Sequence, residues 1–254
     1  MTESSQYLSP EERARYARQL GPGVLTESQQ LRLKHSTVLV TRVGGMGGPA
    51  AQMLAMAGVG RVIIAHGGEL IEPDLNRQVL GSEAGLGQRR APAFGDYLRS
   101  LNRFIEVEAL DYEPNDEQAL ALAEECDLLV SCAPTFGERL RLGRASVATG
   151  TPLIDAAQWG MSGTLYASDP ARHPCLACLY PHEPPFEEYF PVVGAISSAI
   201  GSLAALEGIK ILSGAGVVMW GRMLAYDGFL CRITQLDAHF PASRCDVCRR
   251  SRQK

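Results

Sequence analysis

Apolar positions in the first part of the chain follow two alternating patterns: short β-branched runs, and longer stretches in which apolar residues recur at helical spacing. Thr37-Val38-Leu39-Val40 reads as a strand, and Arg61-Val62-Ile63-Ile64-Ala65 as the next. Between them lies a glycine-rich turn and then a helical pattern beginning at Gly48 and stopping at Gly58. Strand, helix and strand in that order make a βαβ unit, which puts the two strands parallel. The alternation continues with a helix from Ala93 to Leu101, a strand from Ile105 to Leu110, a helix near Gln118 to Glu125 and a strand from Leu128 to Cys132. A helix from Thr135 to Thr149 and a strand from Pro152 to Asp155 close the series. Upstream, Ser9-Pro10-Glu11-Glu12 is a helix start, with a serine cap, proline and acids in the first turn, and a short helix covers Ser28 to Leu33.

Beyond Asp155 the pattern changes. Met161 to Ala167 reads as an antiparallel strand, residues 171–192 are turn-rich, and a small-residue helix runs through Leu212. The segment from Arg222 to Leu236 reads as a hairpin turning at Asp227-Gly228. The proline-rich stretch from Pro181 to Pro191 is a candidate mobile loop or lid. The expected architecture is α/β: a Rossmann-like, doubly wound, mostly parallel sheet with antiparallel C-terminal strands. A helical arm covers 1–36, the nucleotide-binding-type core 37–160, and an antiparallel extension 161–254, together one compact domain.

Composition narrows the function. The chain has 254 residues, 46% of them hydrophobic, and a net charge of -4, so it has an ordinary core and no sequence-wide basic field for nucleic acid. The basic Arg249-Arg250-Ser251-Arg252 stretch reads as a solvated tail. The polar first residues hold no apolar leader core, which gives the expectation of a cytoplasmic protein. The most apolar helix is interrupted by Glu207 and Lys210, which favours a core helix over a membrane span.

Seven cysteines make an odd count, and four of them form two C-x-x-C pairs, Cys175/Cys178 and Cys245/Cys248. One turn of that spacing offers two thiolates, and two turns fill a tetrahedral Zn2+ site. With sulfur at all four positions no place is left for water, so the zinc expected is structural, joining the crossover loop to the C-terminal segment. A redox-active pair is the rival reading; it is disfavoured because neither pair is expected to open a helix after a strand. Cys126, Cys132 and Cys231 read as buried apolar residues.

The motifs together carry a resemblance. Val40-Thr-Arg-Val-Gly-Gly-Met-Gly-Gly-Pro-Ala-Ala51, the Arg15-Tyr-Ala-Arg-Gln-Leu20 run, Leu75-Asn-Arg-Gln78, the Gly87-Gln88 pair before a basic residue, both C-x-x-C pairs and the helix from Ile200 to Lys210 occur in a specific order. In these the chain resembles the ThiF/MoeB/HesA superfamily of adenylylating proteins related to ubiquitin-activating enzymes. The resemblance implies a dimeric Rossmann-like protein that binds Mg-ATP and adenylylates the C-terminal glycine of a small ubiquitin-like or sulfur-carrier protein. Catalysis of that kind rests on cations around the phosphates and carboxylates that hold the metal.

Carried over position by position, the resemblance gives a mixed site. Arg77, with Asn76 and Gln78 beside it, would clamp phosphate, and Arg15 and Arg18 would be offered across a dimer to the partner's nucleotide. Gly44, Gly45 and Gly47 survive in the glycine loop, but its first glycine is Arg42, a bulky residue where phosphate must approach backbone N–H groups. The ribose-binding acid, expected ~20 residues further on, is His66. The next acid of that strand end is Gly68, the phosphate lysine is Arg90, and the metal-handling aspartate is Pro134. The crossover segment from Tyr180 to Gly194 contains no cysteine for a thioester, and Glu187 lies near that register.

These changes at one site imply a pseudo-activating subunit that keeps the fold and zinc, binds Mg-ATP weakly or not at all, and pairs with an active homologue or with itself around a carrier protein or peptide tail. The alternative is a working adenylyltransferase with a rebuilt site, in which Arg42, Arg77, Arg89 and Arg90 hold phosphate and Glu69 or Asp74 supplies the carboxylate. A nicotinamide or flavin oxidoreductase is disfavoured by the missing ribose acid and by the zinc pairs.

Overall fold

The computed structural model describes residues 7–185, 190–238 and 245–251. Its centre is one eight-stranded sheet, β1 (Thr37–Thr41), β2 (Arg61–Ala65), β3 (Glu106–Leu110), β4 (Leu128–Ser131), β5 (Leu153–Trp159), β6 (Ser162–Ser168), β7 (Arg222–Asp227) and β8 (Arg232–Asp237), in the order β3-β2-β1-β4-β5-β6-β7-β8. The first five strands pair in parallel and the last three antiparallel. This matches the expected Rossmann-like sheet with an antiparallel extension.

Strand parity divides the core. Val38, Val40, Val62, Ile64, Leu128, Val130 and Ile154 point to one face, against Leu54 of α3 (Gly47–Ala57), Phe94 and Leu98 of α4 (Arg90–Leu101), and Ile200 and Ala204 of α8 (Gly194–Ser213). Leu39, Ile63, Leu129 and Leu153 point to the other, against Leu122 of α5 (Asp116–Glu125) and Leu140 and Leu142 of α6 (Phe136–Thr149). Because both faces are covered, these strands are near-continuous Val/Ile/Leu runs. The helix after β1 lies on one face and the helix after β4 on the other, so the chain reverses its winding between two neighbouring strands. A crevice opens at their C-terminal ends, where ligands bind in sheets of this kind.

The helix ends follow from their caps. Ser9 and Glu12 form a reciprocal capping box on α1 (Pro10–Tyr16), as Thr26 and Gln29 do on α2 (Glu27–Lys34) and Asn115 and Gln118 on α5. The capping box starts α5 at Asp116, ahead of the Gln118 expected from apolar spacing, and α4 starts at Arg90 ahead of Ala93. α8 meets the composition and length of a membrane span, but half of its apolar window is buried, and it packs on the sheet beside α3. A Cβ on Gly201 would stand 2.2 Å from the Met46 carbonyl, so only glycine lets α8 lie against the turn after β1.

The hairpin differs from expectation. β7 and β8 are joined by a four-residue loop, with Asp227 opposite Arg232, in place of a two-residue Asp-Gly turn. Gly228 N–H donates to the Met161 carbonyl at 2.8 Å, and a Cβ there would lie 2.3 Å from that oxygen. Gly228 is therefore consumed by packing on a neighbouring strand end, and Asp227 accepts from the N–H groups of Phe229 and Leu230. Part of the proline-rich segment, and Glu187 within it, lies outside the described residues.

Candidate functional site

The glycine turn leaves β1 at Arg42, whose φ of 55° is left-handed, a conformation that costs a residue with a Cβ roughly 1–2 kcal/mol. The turn still closes: Arg42 N–H donates to the Ala65 carbonyl at 2.8 Å and Gly44 N–H to the Arg42 carbonyl at 2.6 Å. Gly47 is indispensable to it, because a Cβ there would sit 2.4 Å from the Arg42 carbonyl oxygen. The Arg42 side chain is engaged by two acids. It forms a fork with Glu138 of α6, Nε to Oε2 at 2.6 Å and Nη2 to Oε1 at 2.8 Å, and Nη1 meets Glu113 at 2.7 Å. Burial opposes the Arg42 charge, but the two carboxylates more than offset it and hold its pKa above the ordinary value. Burial likewise works against the Glu138 charge, and Arg42 reverses the balance, so its pKa lies below the usual range.

Opposite the turn, Arg77 and Arg90 converge on one carboxylate. Asp74 is 3% exposed; its Oδ1 accepts from Arg77 Nη2 at 3.2 Å, and its Oδ2 from Arg90 Nη2. Arg77 also bonds the Asn76 side chain at 3.0 Å, and Arg90 Nη1 the Gly67 carbonyl at 3.1 Å. Arg90 passes so close to Gly68, φ 82°, that a Cβ there would lie 2.8 Å from Nη1. The left-handed backbone at 68 suits glycine, and a side chain there would require the end of Arg90 to shift. Glu69 is exposed and bridges to the Arg89 backbone, and Arg89 pairs with Asp111.

Arg42, Gly44, Gly45, His66, Asp74, Arg77, Gln78, Arg90 and Pro134 enclose, with Met46, Cys132, Gln158 and Phe190, a cavity of about 210 Å3. Asp74 is the one carboxylate among the described residues of that lining. His66, at the end of β2 and 5% exposed, is kept neutral: burial, aided by the charges of Arg90 and Arg42, lowers its pKa to about 4. Its Nδ1 has no partner, and neither do Gln78 Oε1, Arg90 Nε and Gln158 Oε1. Ser197 Oγ of α8 is also buried and unpaired, behind Gly45. Asn76 is exposed, with its amide 3.5 Å from the Val192 carbonyl, and does not line the cavity. Arg15 and Arg18 are exposed on the N-terminal arm and line no part of it in their own chain; Arg15 donates to the Leu101 carbonyl.

A larger apolar groove of about 440 Å3 opens from the cavity, sharing Met46, Pro134, Gln158 and Phe190 with it. Phe136, Trp159, Tyr180 and Pro184 form much of its wall. Arg139 reaches this wall but is neutralised: Nε lies 3.0 Å from Asp155 Oδ1, Nη2 meets Oδ2, and the guanidinium sits 4.4 Å from the Phe136 ring centre. Sequence reasoning missed this buried pair and the Glu113 and Glu138 partners of Arg42.

The four paired cysteines come together. Sγ distances are 3.8 Å for Cys175–Cys178, 3.7 Å for Cys175–Cys245 and 3.6 Å for Cys178–Cys248, and all four sulfurs lie within 4.8 Å of one another. A tetrahedron with Zn–S bonds of about 2.3 Å has S–S edges of about 3.8 Å, so the four could hold a metal ion such as zinc. Cys175 is the N-cap of α7 (Leu176–Leu179), and Cys245 precedes α9 (Asp246–Ser251), so each pair does open a short helix. What disfavours a redox pair is the convergence of all four sulfurs. Cys132 lines the cavity as an inert thiol, since burial raises its pKa far above neutrality. Cys126 is buried as expected, whereas Cys231 is exposed in the β7–β8 loop at φ 49°.

Fold, switch-point cavity and cysteine cluster define the class. The sequence profile of the ThiF family matches residues 16–247, and the chain belongs to that family. Among curated relatives, the vegetative HesA protein of Trichormus variabilis is 42% identical over 209 residues, 82% of this chain and 78% of its own. The adenylyltransferase and sulfurtransferase MOCS3 of Anopheles gambiae is 36% identical over 246 residues, 95% of this chain but 56% of its own. Among solved structures, E. coli MccB with ATP superposes with a TM-score of 0.78 at 20% identity, covering 87% of this chain and 69% of that one.

Proposed function

We propose that the chain is a pseudo-activating member of the ThiF family: it holds the C-terminal tail of a small ubiquitin-like or sulfur-carrier protein, or a peptide, while Mg-ATP activation is weak or lost. The observation that carries this reading is Asp74, the sole carboxylate of the described cavity lining, bound by both Arg77 and Arg90. A metal would have to take that carboxylate from two arginines, and phosphate would have to take the arginines from the carboxylate. Losing one preorganised donor to a developing charge typically costs ~3 kcal/mol of transition-state stabilisation, and here metal and cations are lost together. The apolar groove beside the cavity suits an extended tail whose terminal carboxylate would point toward the cavity.

On this reading the chain dimerises, with itself or with an active homologue to which Arg15 or Arg18 is offered in trans, and acts in the cytoplasm with structural Zn2+ in the cysteine cluster. The relatives support the family role, since MOCS3 is named an adenylyltransferase. The rival reading, an active adenylyltransferase, is favoured by Arg77 and Arg90 both facing the cavity. Calorimetry with Mg-ATP and an ATP–pyrophosphate exchange assay separate the two. No saturable heat and no exchange are expected; magnesium-dependent micromolar binding would refute the proposal. Substituting Arg15 and Arg18 in a mixture with an active homologue should lower the partner's turnover, and unchanged turnover would count against the trans role.

A further inference from the structure

We infer that the apolar groove beside the cavity reads a bulky, uncharged side chain close to the C-terminus of the bound tail, so that this tail ends in something other than a double glycine. This deepens the reading above and rests on it.

The groove of about 440 Å3 lies against two edge-to-face aromatic pairs, Trp159 with Phe190 at 5.6 Å between ring centres and Phe136 with Tyr180 at 4.8 Å. Trp159 is 45% exposed within this contiguous apolar wall, the kind of patch that marks a recognition surface. Glycine offers such a wall no side chain, so a Gly-Gly tail would leave the groove to water. Charge narrows the class further. The one charged residue among the described lining is Arg139, which is buried, held by both carboxylate oxygens of Asp155 and stacked over Phe136 and Tyr180 at 4.4 and 5.1 Å. A lysine or aspartate side chain entering the groove would give up its water for no free countercharge, whereas leucine, methionine or phenylalanine would gain by burial.

The neighbouring cavity sets the direction of the tail. Arg77 and Arg90 share the single carboxylate of Asp74, two cations against one anion, which leaves positive charge for a terminal carboxylate. Gln158 stands in the wall common to both spaces; its buried Oε1 has no partner and would accept a hydrogen bond from a tail N–H. Because groove and cavity also share Met46, Pro134 and Phe190, an extended chain rising about 3.4 Å per residue passes from one to the other within its final residues. The bulky residue therefore falls at the last, second-last or third-last position, and Trp159 and Tyr180 are specificity-determining residues for it.

The test is calorimetry on the full chain with synthetic, N-acetylated peptides of one polar sequence. One peptide ends in Gly-Gly; three others carry phenylalanine at the last, second-last or third-last position, each with matched lysine, aspartate and C-terminal amide forms. At least one phenylalanine peptide should bind about tenfold or more tightly than the Gly-Gly peptide, and its lysine, aspartate and amide forms should lose that gain. The same peptide should shift the tryptophan fluorescence, and Trp159→Ala should remove the shift and narrow the preference for phenylalanine severalfold. A purely structural role for Trp159 would instead weaken both peptides alike and would overturn its assignment. If Trp159→Ala does not fold, the wild-type peptide series decides the matter. A Gly-Gly peptide that binds as tightly as the phenylalanine peptides, or a lysine or amide form that keeps the gain, overturns this inference and leaves the functional reading standing. Binding of no peptide overturns both.

Discussion

His66 offers a measurement that isolates one group. Folded, its pKa is lowered to about 4, against an unperturbed value near 6.5, so the unfolded chain binds a proton that the folded chain refuses. The stability tied to neutral His66 is therefore intact above pH 6.5 and is lost as pH falls through 6.5 toward 4. Integrating the linkage between those two values gives a loss of about 2 kcal/mol by pH 5 and about 3 kcal/mol by pH 4. The perturbation is His66→Gln, which keeps polarity and approximate size and removes the titration. Urea denaturation of both proteins at pH 7, 6 and 5 reads the difference, because every other titrating group is common to both. The wild type should lose about 2 kcal/mol more than the variant between pH 7 and pH 5. Parallel curves for the two proteins would refute the claim that His66 is buried neutral beside Arg90 and Arg42.

The other predictions concern stability. Arg139→Ala should cost roughly 3–5 kcal/mol in denaturant unfolding, because Asp155, 3% exposed, would keep a buried charge with no partner, whereas Arg13→Ala at the exposed pair with Glu27 should leave the unfolding midpoint nearly unchanged. Gly47→Ala should destabilise by about 1–3 kcal/mol or more, since its methyl would lie 2.4 Å from the Arg42 carbonyl oxygen and backbone must move; an unchanged melting temperature would contradict the turn geometry. Purified protein should carry about one zinc per chain by atomic emission, and chelation or Cys178→Ser should lower the melting temperature, an unchanged melting profile with no metal content refuting the site.

The sheet was legible because its strands are short β-branched runs punctuated by capped helices, and the period of the apolar residues changes at each boundary. The hairpin misled because Asp227-Gly228 satisfies a tight-turn pattern while Gly228 is claimed by the Met161 carbonyl, a partner remote in sequence. The cavity was legible in its residue types but not in its charge balance. Arg42 and Glu138 are 96 positions apart, and no local signal joins them. Asp74 was recognisable, with Glu69, as a possible replacement carboxylate, but its binding by Arg77 was not read from the sequence. Only the fold brings Arg90 to its other oxygen.

The cysteine cluster also bears on how the chain reaches its fold. Cys175 and Cys245 are 70 positions apart, and between them lie α8, β7 and β8. An ion joining the two pairs would close that whole segment into a loop, removing about 4 kcal/mol of chain entropy from the unfolded state if it acts as a covalent cross-link does. The clasp cannot shut until Cys248 has been synthesised, so on the ribosome the parallel strands can assemble before the antiparallel edge is locked. Metal content would then report how many molecules have closed that loop.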